Sequence, residues 1–316
     1  MALRPRLLGL ATKVAAQRSA PLVASAAGFA GGMPPVGKSA LIFGGLNGLG
    51  FGISAATGSH VHLDLIGTGA FAVAALFCGP LAGGRASVSA AGVAIWGAKL
   101  AGFLFYRALQ VKHDARLTDT LSSTSGAFGF WFISFLWGWF VSLPHTLAAG
   151  APVVARAPMG GFTCTAGIAV YALGLLIETL ADGQKWLFKK DPANSGKFCD
   201  VGVWQLSQHP NWFGNLMIWS GILLFNTPTL LAAWPKGAGW LRRVGRFAGS
   251  AFSPLFLLAL FYGQATGGIT NTVELTDKKY GNDPRYVAYV RDTPLVLPTL
   301  RSIARTLGLA KAPPMQ

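Results

Sequence analysis

The sequence predicts an all-α fold: a polytopic membrane bundle of about seven spanning helices with a polar pocket at the inner face. Three observations carry this. Hydrophobic types make up 52% of the 316 residues and charged types only 12%, roughly half the charge of a soluble domain. The mean hydropathy is +0.46. The apolar residues fall into seven stretches, each long enough to cross a hydrocarbon core as a helix. None alternates polar and apolar residues as a barrel strand does. The same composition excludes a disordered chain, which needs high charge and low hydrophobicity, and a soluble enzyme of this length.

Taken in order, residues 1–35 hold Arg4, Arg6, Lys13 and Arg18 among Ala, Leu and Ser, and the first acid of the chain is Asp64. That is the composition of an organelle transit segment, and its arginines favour a mitochondrial inner membrane over a plastid. The membrane domain runs over 36–300, followed by a tail at 301–316. Its stretches are 41–58, 64–82, 88–106, 126–149, 160–181, 212–233 and 250–270. The first is glycine-rich, and small residues let membrane helices approach closely. If all seven cross, the gaps near 107–125 and 182–211 share a side with residues 271–316. That side carries 14 Lys and Arg against 6 in the gaps near 83–87, 150–159 and 234–249. The bias of basic residues puts the richer side inside.

The formal net charge is +15. Because the bases sit in short gaps between apolar runs, membrane lipid headgroups account for them and no nucleic acid partner is expected. Cys78, Cys164 and Cys199 form no CxxC pair and imply neither a disulfide framework nor a zinc site. Gly32 to Ser39 matches a phosphate-loop pattern, but no strand precedes it. Gly50 to Ala55 mimics a dinucleotide fingerprint inside an apolar stretch. His60 and His62 have no third ligand nearby, so no metal site is expected.

Residues 170–221 carry the chemistry. Glu178 and Asp182 lie one helical turn apart at the inner end of the fifth stretch, and Lys185 follows. Carboxylates at such depth are costly unless paired or functional. A polar loop with Asn194, Gly196 and Lys197 leads to Gln208, His209, Pro210, Asn211 and Trp212, where Pro210 suits a helix start. The residues alone fit a capped, salt-bridged interfacial loop as well as a binding site.

This segment resembles the steroid 5-alpha-reductase superfamily, most closely its uncharacterised domain-of-unknown-function branch. A family pattern E…AD.QK…F corresponds to Glu178, Ala181, Asp182, Gln184, Lys185 and Phe188. A second, G.W…RHPN[YF]FGE, corresponds to Gly202, Trp204 and the run from Gln208 to Asn215. A third spans Glu274, Tyr280, Pro284, Tyr286, Tyr289, Thr293, Pro294, Leu297 and Pro298. Upstream, Asp64 and the run from Trp96 with Lys99, Arg107, Asp114 and Arg116 also fit, so the likeness covers about 60–300.

The resemblance implies NADPH bound on the inner side and hydride delivered to an enone-type double bond of an apolar, lipid-like substrate, with an acid polarising the carbonyl oxygen. By position, Asp182, Lys185, His209, Asn211 and Tyr280 are the implied cofactor contacts, with Arg285 and Arg291 as phosphate or ribose neighbours. Asp64 and Tyr106 are the early candidates for the catalytic acid. Three positions depart from the pattern: Gln208 replaces an Arg, Asn215 replaces a Glu, and Lys99 stands for an Arg. These departures leave open a catalytically degenerate member, serving as a structural subunit of an organellar membrane complex. Methyl transfer on a related fold is a further alternative.

Overall fold

The computed structural model describes residues 32–79, 83–111, 118–268 and 272–310. Residues 1–31 of the basic N-terminal segment, Asp114, Arg116 and the last six residues lie outside the described residues. Among the described residues the helices run in this order: α1 Pro35–Thr57, α2 Leu63–Phe77, α3 Gly84–Val111, α4 Thr118–Leu121, α5 Thr124–Val141, α6 Leu143–Ala149, α7 Phe162–Lys190, α8 Pro210–Leu230, α9 Trp240–Ala265, α10 Thr272–Tyr280, α11 Pro284–Asp292 and α12 Leu300–Thr306. No strand occurs among these residues.

Five of these helices, α1, α3, α5, α7 and α9, are long and apolar enough to cross a membrane. Their perimeters bear exposed Ile95, Ile133, Leu173 and Leu255, side chains that a soluble bundle would cover. Of the seven expected stretches, the other two behave differently. The stretch 64–82 yields α2, only 15 residues long, about 22 Å of helix. The stretch 212–233 yields α8, which has 21 residues but carries Asn215, Asn226, Thr227 and Thr229.

Two boundaries also differ from expectation. The stretch 126–149 is two helices, because Pro144 has no N–H to continue α5 and the chain turns at Ser142 into α6. The last stretch starts ten residues early, at Trp240. There Arg246 donates to the carbonyls of Leu230, Ala232 and Trp234. It thereby satisfies carbonyls at and beyond the C-terminal end of α8.

The core is aromatic. Phe71 of α2 meets Phe43, Trp96 and Trp137 edge-on at 4.9–5.0 Å between centroids, and Trp96 meets Trp219 the same way at 5.2 Å. Beside it, α7 and α8 run antiparallel at backbone contact, on Gly167 and Gly174 of one and Gly214 and Gly221 of the other. A Cβ on any of the four would fall 2.6–2.7 Å from backbone atoms of the facing helix. Tyr171 ties this pair to α3 by donating to the Gly92 carbonyl at 2.7 Å.

The glycine contact makes a contrast testable. Gly214→Ala should cost roughly 1–3 kcal/mol through overpacking. Gly183→Ala on the same helix pair meets nothing within 4 Å and should gain up to about 1 kcal/mol of helix propensity. Thermal unfolding in detergent measures both. Equal effects would show that the helices are not in backbone contact.

Candidate functional site

Because α7 and α8 touch along their backbones, Glu178 is driven into the interior, facing Gly214. It is 2% exposed, yet its carboxylate is fully occupied. Lys99 Nζ lies 2.7 Å from Oε2. Trp96 Nε1 donates to both oxygens at 3.1 Å, and Asn215 Nδ2 donates to Oε1 at 3.1 Å. Three helices thus meet at one buried charge, which is tolerable at such depth only because it is paired and hydrogen-bonded. Lys99 also donates to Thr179 Oγ1 at 3.2 Å. Two of the three positions that depart from the pattern the sequence resembles, Lys99 and Asn215, are therefore partners of one carboxylate. Sequence reasoning singled out each residue but not their meeting, which depends on helix register across 79 positions.

One turn beyond Glu178, Asp182 stands level with the start of α8. Its carboxylate, the amide of Asn211 and the ring of His209 are all partly buried, and none makes a hydrogen bond among the described residues. His209 stacks on Trp212 at 4.0 Å between centroids, and Trp212 in turn stacks on Phe261 at 5.3 Å. Burial, and to a lesser degree the neighbouring Lys185 cation, push the His209 imidazole down from 6.5 to about 3, so it is neutral at ordinary pH. Lys185 lies 4.3 Å over the ring of Trp204. Trp204 Nε1 is held by the Ala181 carbonyl at 2.9 Å. The structure thus gathers Asp182, Lys185, His209 and Asn211 at one junction.

The loop after α7 and the segment after α9 converge beside this junction. Gln208 donates from its backbone N–H to Pro294 at 2.9 Å, and from its side chain to Thr293 at 2.7 Å and Val290 at 3.0 Å. Tyr289 donates to the Trp204 carbonyl at 2.8 Å. Phe198 is packed among the rings of Tyr280, Tyr286 and Tyr289. Burial raises the Tyr289 phenol and the Cys199 thiol, so both stay protonated. Gln208 therefore uses its side-chain N–H groups to seat the following segment.

The remaining expected residues are placed apart from this junction. Tyr280 accepts from Lys189 Nζ at 2.9 Å, about a turn further along α7. Arg285 is exposed, and Arg291 is exposed and paired with its neighbour Asp292 at 2.9 Å. Tyr106 lies on α3 against Trp186, with Lys190 Nζ 3.4 Å from its hydroxyl. Asp64 opens α2 at the same end of the bundle. His60 and His62 are engaged with Ser54 and the Gly50 carbonyl.

The profile of a family described as "Protein of unknown function (DUF1295)" matches residues 50–293. The chain belongs to this family. No curated protein and no solved structure matches it. The DUF1295 region runs from within α1 to Thr293, whose carbonyl Gln208 binds, so it contains both the buried carboxylate and the junction. Helix α12, which reaches the site through Arg305 and the Gln205 carbonyl at 2.7 Å, lies beyond it.

Two outcomes follow. Glu178→Gln strands Lys99, which is 26% exposed and partly relieved by water, so a loss of about 1–3 kcal/mol is expected. Adding Lys99→Met should recover part of it, and chemical unfolding in detergent reads the pair. For His209, the unfolded chain binds a proton below about 6.5, whereas the fold refuses it until about 3. Stability should therefore be flat above pH 6.5 on its account and fall as pH drops through that window. His209→Asn should flatten the fall.

Proposed function

We propose that this protein is an NADPH-dependent reductase of an apolar lipid, a seven-span member of the steroid 5-alpha-reductase superfamily working from the inner end of its bundle. In this reading α2 and α8 cross as well, and the basic N-terminal segment directs the chain to an organelle membrane, the mitochondrial inner membrane in preference to a plastid. The observation that carries the proposal is the group of polar side chains at the α7–α8 junction. Asp182, His209 and Asn211 are partly buried, and among the described residues no hydrogen bond occupies their side chains, so they are available to a bound polar ligand.

The residues present fit a nicotinamide dinucleotide. Asp182 and Asn211 offer acceptors and donors for amide and ribose groups. Neutral His209 offers one of each, and its stack on Trp212 and Phe261 supplies a flat apolar floor. Lys185, with Lys189 beyond it beside Tyr280, gives fixed cations for phosphates. Arg285 and Arg291 would join only from the solvent side. When bound, the cofactor supplies a hydride donor. The inner end of the bundle, near Glu178 and Lys99, would hold the ring, with Trp96 and Trp219 keeping water out; Asp64 and Tyr106, the expected acids, stand apart from the junction at the same end of the bundle. An apolar perimeter gives that substrate a route from the bilayer.

A second reading rests on a specific observation. Gln208, Asn215 and Lys99 all serve internal contacts, and Phe198 fills the space between loop and tyrosines, as in a degenerate member kept as a structural subunit of an organellar membrane complex. NADPH binding separates the two. Saturating NADPH should raise the melting temperature of the detergent-purified chain by several degrees, since a ligand at about a hundred times its Kd stabilises by about 2.7 kcal/mol. Asn211→Ala or Lys185→Ala should remove that rise. An unmoved melting temperature, with purification in a large stable assembly, would favour the structural subunit.

A further inference from the structure

The end of the bundle opposite the junction has a property the proposed reduction does not use. The chain has no acid before Asp64, between Asp64 and Asp114, between Asp119 and Glu178, or between Asp200 and Glu274. Those acid-free intervals supply every described residue at that end: the start of α1, the links from α2 to α3, α5 to α7 and α8 to α9, and the helix ends they join. Seven described bases lie there, Lys38, Arg85, Arg156, Lys236, Arg242, Arg243 and Arg246, and no described acid does.

Two of them converge on a cavity between α3, α6 and α8. It is lined by Arg85, Ser89, His145, Arg156, Asn226 and Thr229, and has about 240 Å³ of empty space including its open mouth. Arg85 is 3% exposed. Its guanidinium donates only to carbonyls, those of Ala157, Phe225 and Pro158, so its charge is desolvated without a counter-ion. Arg156 donates to the carbonyls of Ala149 and Ala151. Ser89 joins His145 Nδ1 at 3.0 Å and Asn226 Nδ2 at 2.8 Å. The His145 imidazole is buried, with Ser89 at Nδ1 and the Ala75 backbone also within reach. The space accepts about one water-sized group, so a whole substrate does not fit and at most one oxygen of an oxyanion does.

The rim tells where that oxyanion comes from. Val153, Val154, Phe162, Trp240 and Leu241 are exposed around this end, Val154 to 96%. Apolar and aromatic side chains beside arginines mark the depth of lipid headgroups. We propose that this end is a binding site for an anionic phospholipid, with a headgroup oxygen seated at the Arg85–Arg156–His145 cavity and the acyl chains against the exposed rim. The bound lipid supplies the negative charge that the described residues lack there.

The test uses the full chain in nanodiscs of phosphatidylcholine, alone or with phosphatidylglycerol added. The anionic lipid should raise the melting temperature by roughly 2–4 °C. Arg156→Gln should lose that rise, and Lys278→Gln, at the other end, should keep it. No rise, or a full rise in Arg156→Gln, overturns the proposal. So does the same rise from inorganic phosphate in phosphatidylcholine discs, which would mark a site for free anions. Native mass spectrometry of the wild-type chain gives a readout independent of any variant's folding. Preferential retention of phosphatidylglycerol over phosphatidylcholine supports the site, and equal retention overturns it.

Discussion

The backbone contact between α7 and α8 is the constraint on which the rest of the described structure depends. Four glycines remove the side chains that would hold the helices apart. Once the backbones touch, Glu178 has no route to water and must be met from within. The neighbouring helices meet it, with Lys99 and Trp96 from α3 and Asn215 from α8. The same register sets Asp182 beside Asn211 and His209 one turn nearer the surface. A packing decision in the middle of the bundle thus fixes which polar groups stand together at its end.

Much of the candidate site was legible in the sequence because its residues lie close to one another along the chain. Asp182 and Lys185 share a helical face, and His209 and Asn211 flank a proline that starts a helix. Arg285 and Arg291 were less legible, since spacing places them on α11 without saying which way they point. The Lys99–Glu178 pair was legible only as two charges in separate apolar stretches, each in need of a partner at its own depth. Of the fold, helical class and membrane character followed from composition. The break at Ser142 was signalled by Pro144 and hidden by the apolar run around it. The early start of α9 was hidden by its arginines, which read as a polar gap. In the structure two of them, Arg243 and Arg246, turn back onto carbonyls at the end of α8 and beyond it.

Charge divides the molecule more sharply than hydropathy does. Both ends are basic, but the described acids are confined to the end that holds the candidate site. There cations and carboxylates are interleaved, as in Glu178 with Lys99 and Arg291 with Asp292, and selectivity can arise from their arrangement. At the other end the described cations meet carbonyls and aromatic rings, as Arg85 does over Phe225 and Arg246 over Trp234. Such a surface distinguishes charge rather than shape, which suits headgroups better than a single soluble metabolite.

The claim that most needs direct measurement is that the junction between α7, α8 and the converging tail receives a nucleotide. An experimental density map at side-chain resolution, recorded with and without NADPH, addresses it. Nucleotide density bounded by Asp182, His209 and Asn211, with Gln208 still joined to Thr293, is the predicted result. A junction identical in both maps, or nucleotide density elsewhere on the chain, would contradict it.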